Sequence, residues 1–415
     1  MFDTATAPLR GQAFRGICIG SACSALTDGI IPVAFAVYSV QRFGGSGALS
    51  VVLVSLWVGR FLCVPLAGTV ASRYDRFAVM ILADLARIGA QAGLALFLVV
   101  AGDSPAMAVS AAGYGVATAF YGPASAATLP EIVSAEQLRP ANAILAVILD
   151  ISVLIGPAAA VILFEALGFF WILLLDSATF GLNILALVYA RRARMCNPGA
   201  PAGKNPDKTS DDFGSFRAIV GREPWLGWSV GLWFTVSFVI GMVAVAGPTL
   251  TVGANGGAGL WAMLTTGTAV ASLAGSLSLV AALRRFGWRL AAVAMTGAVA
   301  CEAGAVAGYS DRTVLGPIAL FAGCVMAGFA ISAAGIVWQA LLQARLSTSD
   351  LARFGSVEGF VNAVGVPIGM TATGPAFDSV GIECVAAVAV AALLVFAFPA
   401  GRLTPPTSGS RSASG

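Results

Sequence analysis

Long apolar runs separated by short polar segments are the dominant pattern of the sequence. A helix needs about 20 apolar residues to cross the hydrocarbon core of a membrane. At that length the pattern predicts twelve membrane-spanning helices, roughly over residues 16–40, 46–71, 77–101, 105–128, 141–164, 168–190, 225–252, 258–282, 289–309, 313–340, 355–377 and 380–400. The first run is longer than the core of a signal peptide, so we interpret it as a retained span.

A polar hairpin lies between the second and third of these runs. Its charged residues, Arg73, Asp75 and Arg76, cannot enter hydrocarbon and are expected at a membrane face. Gly68 precedes them and would let two helices approach closely. The tripeptide Leu-Ala-Gly that ends at Gly68 recurs 207 residues later, where it ends at Gly275 and is followed by a basic cluster. Because this offset is half of the 415-residue chain, we predict a duplicated bundle of membrane helices.

A change in composition divides the chain near its middle. Residues 197–212 are rich in proline, glycine and polar residues, which is typical of a disordered linker. We therefore predict a six-helix bundle over residues 1–190, a linker over 191–224, a second six-helix bundle over 225–400 and a disordered tail over 401–415.

Lysine and arginine are distributed unevenly between the two faces of the predicted bundles. Of the 23, nineteen lie on the face that carries the hairpin, and only Arg42 and Arg312 lie on the other. Membrane proteins collect such residues in their cytoplasmic loops. The sequence therefore predicts a multi-pass protein of the bacterial inner membrane, with both termini in the cytoplasm.

Composition supports a membrane protein and excludes several functions. The chain is 58% hydrophobic and 10% charged, whereas soluble domains are about 25% charged. It contains no histidine, which excludes Ser-His catalysis and histidine-ligated metals. The seven cysteines lack a metal-binding spacing, and no complete phosphate-binding loop is present. We therefore expect no enzyme activity, no metal or cofactor and, with a net charge of only +3, no nucleic-acid partner.

Several motifs resemble those of one transporter family. Twelve spans with a Gly-x-x-x-x-Arg-x-x-Arg hairpin resemble the major facilitator superfamily. Further segments resemble its drug:proton antiporter branch, which contains macrolide exporters and the enterobactin exporter; they are Thr27-Asp28-Gly29, Tyr121-Gly-Pro123, Pro130-Glu131, Leu138-Arg-Pro-Ala141-Asn142-Ala143, Ile155-Gly156-Pro157, Gln343-Ala-Arg345 and Asp350-Leu-Ala-Arg353.

This resemblance implies an all-α membrane protein of twelve helices in two six-helix bundles, the major facilitator fold. It implies a secondary transporter that works by alternating access. The hairpin residues Gly68, Arg73, Asp75 and Arg76 would form its gating loop, and Gly156 with Pro157 would kink a helix.

The sequence departs from the family pattern at two places. Ser72 stands where the hairpin motif usually has an aspartate that steadies the outward-open state. Either Asp75 takes over that role, or the outward-open state is less strongly stabilised in this protein. In the fifth span only Gly156 and Pro157 remain of the antiporter signature, and three alanines follow where the pattern has glycines.

Ionisable residues inside the spans are the main functional candidates, because each costs about 3 kcal/mol on lenient insertion scales. Asp28 lies near mid-membrane and is the first candidate for proton coupling or cargo binding. The alternative is a structural carboxylate that is hydrogen-bonded to its own helix. Asp150, Glu302 and Asn362 are further candidates for coupling or for lining a substrate cavity.

A buried ion pair is predicted between two neighbouring spans. Arg60 and Asp84 lie on antiparallel helices, each roughly 10 Å from the cytoplasmic side by helical rise. Two alternatives remain open. Asp84 is three residues from Arg87 on one helix and could pair with it instead, and Arg60 could reach the membrane surface or bind an anionic cargo.

Together these features predict a secondary transporter that exports an amphipathic small molecule by proton antiport. The few charges in the spans favour a drug, an antibiotic or a natural product such as a siderophore over sugars and phosphates. The expected partners are this cargo, protons and the lipid bilayer, and the protein is expected to act as a monomer. Alternatives are an importer or facilitator of a small metabolite on the same fold, and a membrane receptor without transport.

Overall fold

The protein is helical throughout the part of the chain that its structure, a computed structural model, describes. The described residues are 7–43, 46–100, 104–134, 137–196, 212–252, 257–282, 288–309, 314–346 and 348–402. The α-helices in these ranges are α1 (Gln12–Phe43), α2 (Ser46–Arg73), α3 (Arg76–Val100), α4 (Ser104–Ile132), α5 (Leu138–Leu167), α6 (Phe169–Cys196), α7 (Asp212–Arg222), α8 (Pro224–Val252), α9 (Gly257–Ala282), α10 (Trp288–Ala307), α11 (Leu315–Arg345), α12 (Thr348–Ser379) and α13 (Ile382–Arg402).

Each of the twelve predicted spans coincides with one long helix, and α7 is additional. Most of these helices extend past the predicted bounds at one end or both, most of all at the start of α12, because a helix can continue into the polar region beyond the hydrocarbon. By length and composition, nine of the described helices can cross a membrane. The helices α4, α9 and α12, which are rich in glycine, serine and threonine, are not among those nine.

The helices form two compact units, Met1–Asp207 and Lys208–Gly415, here named the first and the second bundle. In the first bundle α1 packs on α5 and α6, α2 on α4, and α3 on α4 and α6. In the second bundle α8 packs on α12 and α13, α9 on α11, and α10 on α11 and α13. The same neighbours recur in the same order, as a duplicated bundle requires.

Glycines permit the closest helix contacts in both bundles. A Cβ atom added to Gly115 of α4 would overlap the carbonyl oxygen of Leu56 on α2. One added to Gly241 of α8 would likewise overlap the carbonyl oxygen of Val366 on α12. Without a hydrophobic force between helices in lipid, such close backbone packing is a main source of association.

The region predicted as a linker contains more helix than expected. The helix α6 continues to Cys196, and α7 begins at Asp212 and packs on α12. Phe216 of α7 stacks on Phe354 of α12 with ring centroids 5.3 Å apart, and Arg222 lies 3.4 Å from the Asp350 carboxylate. Asp212, the last residue of the stretch predicted to be disordered, is the first residue of α7. Residues 197–211 and 403–415 lie outside the described residues, so the disorder expected there stays a prediction.

Candidate functional site

Four helices of the first bundle place polar side chains in pairs that are seven residues apart. Seven residues are about two helical turns, so both members of a pair lie on one helix face, roughly 10 Å apart. The pairs are Ser21 and Asp28 on α1, Asp84 and Gln91 on α3, Tyr114 and Tyr121 on α4, and Asp176 and Asn183 on α6. Because α4 and α6 run opposite to α1 and α3, the pairs build two polar layers, one nearer the hairpin and one farther from it.

The hairpin-side layer consists of Ser21, Asp84, Tyr121 and Asn183. The Asn183 side-chain amide donates to Asp84 Oδ2 at 2.7 Å and contacts the Tyr121 hydroxyl at 3.0 Å. The Tyr121 hydroxyl also interacts with Ser21. Asp84 and Asn183 are completely buried, so these hydrogen bonds replace the water that both groups lose on folding.

The far layer consists of Asp28, Gln91, Tyr114 and Asp176. The Gln91 side-chain amide donates to Asp176 Oδ2 at 2.9 Å. The Tyr114 hydroxyl donates to Asp28 Oδ1. Gln91 and Asp176 are completely buried, whereas Asp28 is half-buried. Asp28, the first candidate from the sequence, is thus bonded to a neighbouring helix rather than only to its own.

Arg87 lies between the two layers. Its guanidinium group is 3.3 Å from Asp84 Oδ1, and both side chains are almost fully buried. Three aromatic rings surround the same guanidinium group at 4.8 Å (Tyr121), 5.1 Å (Phe180) and 5.6 Å (Tyr114). These distances allow cation–π attraction, which is stronger where water is excluded.

The network carries more acidic than basic groups. Asp28, Asp84 and Asp176 interact electrostatically with one another or with Arg87, and Arg87 forms the only salt bridge to them among the described residues. Several buried polar atoms also lack a hydrogen-bond partner within that part of the chain: Arg87 Nε, Gln91 Oε1, Asp176 Oδ1 and Asn183 Oδ1. Such atoms are rare in protein interiors and mark places where a proton, a water molecule or a ligand is needed.

The predicted ion pair between Arg60 and Asp84 is not formed. Gly59 faces α4, since a Cβ atom there would overlap the carbonyl oxygen of Ala112. The next residue along a helix points about 100° away, so Arg60 is exposed, with its guanidinium group 6.0 Å from the Trp57 ring. Asp84 pairs instead with Arg87, the alternative within one helix.

A narrow apolar cleft lies beside the far layer. Helices α1 to α4 form it, and two members of the far layer belong to its wall. Its lining residues are Ile31, Pro32, Phe35, Val52, Leu53, Leu56, Gln91, Ala111 and Tyr114.

The hairpin residues form ion pairs with other helices of the first bundle. Asp75 lies 2.8 Å from Arg191 of α6. Arg76 pairs with Glu131 of α4 and donates to the Ala127 carbonyl oxygen at 2.7 Å. Arg194 lies 2.7 Å from the same Glu131 carboxylate. The hairpin is therefore tied to the ends of α4 and α6.

Three hairpin positions contribute less to this picture. Arg73 is exposed at the last position of α2. Gly68 lies within α2, but its packing and the side chain of Ser72 lie outside the described part of the structure. The structure thus pairs Asp75 with Arg191 of a neighbouring helix, while the effect of Ser72 remains a prediction from the family pattern.

The candidates in the second bundle are isolated from one another. Glu302 of α10 is buried and contacts the Cys324 thiol of α11, and no salt bridge joins it among the described residues. Glu358 of α12 accepts a hydrogen bond from the Trp338 indole. Asn362, one turn farther along α12, is half-buried, and its side-chain oxygen has no hydrogen-bond partner in the described parts.

The remaining candidates lie on α5. Gly156 is buried where α5 meets α1, and a Cβ atom there would lie 2.5 Å from the Gly29 carbonyl carbon. The helix continues through Pro157, so close approach to α1 is the visible role of this motif. Asp150 belongs to α5, but its side chain lies outside the described residues.

Sequence reasoning missed several members of the network, namely Gln91, Tyr114 and Asn183. They are uncharged, so a search for charged residues within the spans does not find them. The recurrence of a seven-residue spacing on four helices was the available signal. Each polar pair is ordinary alone, and only the repetition indicates a shared interior face.

Comparisons with known proteins agree with this architecture. The family model described as the Major Facilitator Superfamily matches residues 17–370 of the chain. The chain belongs to this superfamily. Its members are transporters and not enzymes, so this major facilitator is a multi-pass membrane transporter.

Efflux pumps of mycobacteria are similar to part of this major facilitator. The multidrug efflux pump Tap of Mycobacterium tuberculosis and that of Mycobacterium bovis are each 30% identical to it over 185 residues. That alignment covers 43% of this chain and 44% of the pump. The chain therefore matches less than half the length of these relatives.

Solved structures share the fold over nearly the whole chain. The nucleoside transporter NupG superposes with a TM-score of 0.70 at 13% identity, covering 95% of this chain and all of that one. A bacterial homologue of the iron transporter ferroportin in its inward-facing state gives 0.73 at 16% identity, covering 97% and 99%. At such low identity the likeness shows the fold alone.

Proposed function

We propose that this major facilitator exports an amphipathic small molecule in exchange for protons, by alternating access. The observation that carries the proposal is the charge imbalance of the buried network, in which three carboxylates share one guanidinium group. Uncompensated charge in a membrane interior is too costly to persist. The network therefore needs bound protons or a bound cation to balance its negative charge. Exchange of one for the other would couple the movement of protons to the movement of that cation.

Asp28 is the group best placed to perform this exchange. It is half-buried, whereas Asp84 and Asp176 are completely buried. Among the described residues its side chain accepts a hydrogen bond from Tyr114, and Pro32 four residues later cannot donate the usual helical hydrogen bond to the Asp28 carbonyl. A change in the surroundings of Asp28 should therefore cost less free energy than a change around the fully enclosed carboxylates.

The hairpin ion pairs support a gating role for Asp75 and Arg76, and the family pattern extends that role to Gly68 and Arg73. They connect the hairpin to α4 and α6 through Glu131 and Arg191. Ion pairs between partly exposed groups are individually weak, so they can break and re-form during transport. The excess of lysine and arginine at this end supports its placement in the cytoplasm of a bacterium.

Similarity to a multidrug efflux pump over part of the chain supports export of a drug-like cargo. The test is transport in inside-out membrane vesicles. We expect an imposed proton gradient to drive accumulation of a fluorescent amphiphile, and we expect Asp28→Asn to abolish it. The matched control is Glu165→Gln on α5, which makes the same chemical change at an exposed position.

Two results would overturn parts of the proposal. Accumulation that persists after a protonophore collapses the gradient contradicts proton coupling. If Asp28→Asn keeps the proton coupling of the wild type and Glu302→Gln loses it, the proton exchange takes place in the second bundle. Movement of a labelled metabolite down its own gradient, without any proton-driven movement, would support the importer or facilitator instead.

A further inference from the structure

One side of α2 carries an arginine beside two aromatic rings. Trp57, Arg60 and Phe61 are three and four residues apart and therefore lie on one face of the helix. The two rings stack with their centroids 5.7 Å apart. Arg60 is exposed, whereas both rings are half-buried. The surface formed by these three residues is here named the Trp57–Arg60 face.

Packing against α4 fixes the direction of this face. A Cβ atom added to Gly115 of α4 would lie 3.0 Å from the Arg60 backbone nitrogen, and one added to Gly59 would overlap the Ala112 carbonyl oxygen. Because glycine brings the two backbones this close, α2 cannot rotate about its axis without a clash. The Arg60 side chain is therefore held outside the contact between α2 and α4.

Arg60 lies in the middle of a helix that is long and apolar enough to cross the membrane. It is fourteen residues from Ser46 and thirteen from Arg73, the two ends of α2, which leaves about 20 Å of helix on either side. Its guanidinium group lies 6.0 Å from the ring of Trp57, three residues earlier, so the side chain points away from the hairpin. Of the two roles that the sequence left open for Arg60, this direction disfavours contact with the membrane surface and favours the binding of an anion.

No carboxylate of the neighbouring helices serves Arg60. The helix α2 contains no acidic residue, and α4 contains only Glu131, which pairs with two arginines at the hairpin end. Asp28 of α1 and Asp84 of α3 belong to the buried network, and among the described residues no salt bridge joins Arg60. A single ring at 6.0 Å is at the limit of cation–π attraction. An arginine in a membrane interior normally has an anionic partner, so the partner of Arg60 has to come from elsewhere.

We propose that the Trp57–Arg60 face binds an aromatic small molecule that carries a carboxylate. The planar guanidinium group matches a carboxylate through two parallel hydrogen bonds, and the Trp57 indole offers an apolar surface on which an aromatic ring stacks. A phospholipid phosphate stays near the membrane surface, far from the middle of α2. The inference rests on the proposed export function because it names a chemical group of the cargo. A zwitterionic aromatic molecule would fit both this face and the proton exchange at the network.

The first test measures charge recognition with two probes of nearly the same shape, 1-naphthylacetate and the neutral 1-naphthylacetamide. Binding of the tritiated probes to the full-length protein in nanodiscs of zwitterionic lipid is followed by scintillation proximity, and the signal of empty nanodiscs is subtracted. We expect the wild type to bind the carboxylate about tenfold more tightly than the amide. Equal affinities would overturn the proposal, because they would leave no role for the guanidinium group.

The second test assigns this preference to Arg60. Arg60→Met removes the charge, keeps an unbranched side chain, and should lower the affinity for the carboxylate to that for the amide. The matched control is Arg42→Met, which makes the same change at an exposed residue in the last turn of α1 and should keep the preference of the wild type. A preference that persists in Arg60→Met, or that is lost equally in both variants, contradicts the proposal.

The third test examines the ring of Trp57. Trp57→Leu should lower the affinity for 1-naphthylacetate about fivefold and leave that for cyclohexylacetate, which has the same charge but no aromatic ring, within about twofold. The control is Trp171→Leu on α6, at a residue that is 57% exposed, and it should bind both probes like the wild type. Equal loss of both probes in Trp57→Leu would overturn the stacking role of the ring.

Two results would assign Arg60 to a different partner, and either would overturn the proposal. Phosphatidylglycerol that stays bound to the wild type and is lost from Arg60→Met, measured by native mass spectrometry of the purified protein, would identify a lipid phosphate. A loss of thermal stability in Arg60→Met as large as in Arg87→Met, which breaks a buried salt bridge, would identify an ion pair within the chain.

Failure of this inference is distinguishable from failure of the export function, because probe binding requires no gradient. Proton-driven export by a protein that does not prefer the carboxylate would overturn the role of the Trp57–Arg60 face and leave export intact. Arg60-dependent binding of the carboxylate without any proton-driven export would support the face and overturn the transport mechanism.

Discussion

The two bundles of this major facilitator share a packing pattern but bury different chemistry. Corresponding helices contact corresponding neighbours, and both bundles use glycine to bring backbones together. The first bundle encloses a network of three carboxylates and Arg87. The second encloses a tryptophan cluster, in which the ring centroids of Trp288 and Trp338 lie 4.8 Å apart, and single carboxylates.

The buried carboxylates of the second bundle have neutral neighbours. Glu358 accepts from the Trp338 indole, and Glu302 contacts a thiol. Since the helix arrangement is the same, the buried charges are not required to build the fold. The difference indicates that the fold depends on small residues and helix order, whereas among the described residues the network of buried charges belongs to the first bundle.

Removing the central cation should have the largest effect on stability. Arg87→Met leaves three carboxylates in one buried network without a positive partner, and we expect it to cost about 3–5 kcal/mol of unfolding free energy. The measurement is thermal unfolding of the detergent-purified protein. Arg60→Met is the control, because Arg60 is exposed, and it should change the unfolding free energy by less than about 0.5 kcal/mol.

Comparable losses in Arg87→Met and Arg60→Met would contradict the central position of Arg87. Asp84→Asn sharpens the test, since it removes the negative partner of the same salt bridge. It leaves Arg87 with Asp28 as a nearby charge, so its cost should be smaller than that of Arg87→Met.

The glycine contacts should be equally sensitive in both bundles. Gly115→Ala and Gly241→Ala each place a methyl group against a backbone carbonyl of the neighbouring helix. Because backbone cannot move aside as a side chain does, we expect each to cost about 1–3 kcal/mol. The controls are Gly89→Ala and Gly297→Ala, where nothing lies within 4 Å; both should be neutral or slightly stabilising.

A loss in one bundle only would show that the common packing pattern does not reflect a common source of stability. Destabilisation by the control substitutions would instead point to a general effect of alanine in these helices. Chemical unfolding followed by tryptophan fluorescence would report mainly on the second bundle, which holds the buried tryptophans.

The fold was largely predictable because hydropathy and helix length determine where a chain crosses a membrane. The repeat at Gly68 and Gly275 indicated the duplication before any contact was known. The helix α7 was not predicted, since its position depends on Phe216 stacking on Phe354, which is a contact between residues far apart in the sequence. Composition alone assigned all of α7 to a linker.

The candidate site was predictable only in part. Position along a helix indicates depth in the membrane, but the direction of a side chain decides whether Arg60 and Asp84 can meet. That direction depends on Gly59 facing α4, which propensity and charge do not reveal. The Asp28–Tyr114 bond joins residues that are 86 positions apart and requires the packing of α1 near α4.

Neutralising the isolated carboxylate of the second bundle should have a small effect of opposite sign. Glu302→Gln removes a buried acid that has no salt bridge among the described residues and keeps a side chain of the same shape. Burying a carboxyl group without a cation is unfavourable, so we expect unchanged stability or a gain of up to about 1 kcal/mol. A loss as large as that of Arg87→Met would mean that both bundles depend on buried charge.

The exposed ion pair of the hairpin should contribute least. The side chains of Arg191 and Asp75 are 48% and 36% exposed, so water and salt screen their attraction. Asp75→Asn should cost less than about 1 kcal/mol, and added salt should reduce the difference from the wild type. A double-mutant cycle with Arg191→Gln measures the pair directly.

Glu131→Gln should cost more than Asp75→Asn, because the less exposed Glu131 serves two arginines. If Asp75→Asn were instead the more damaging change, the hairpin would have to be counted with the buried network as a source of stability, and the contrast between the bundles would extend to their surfaces.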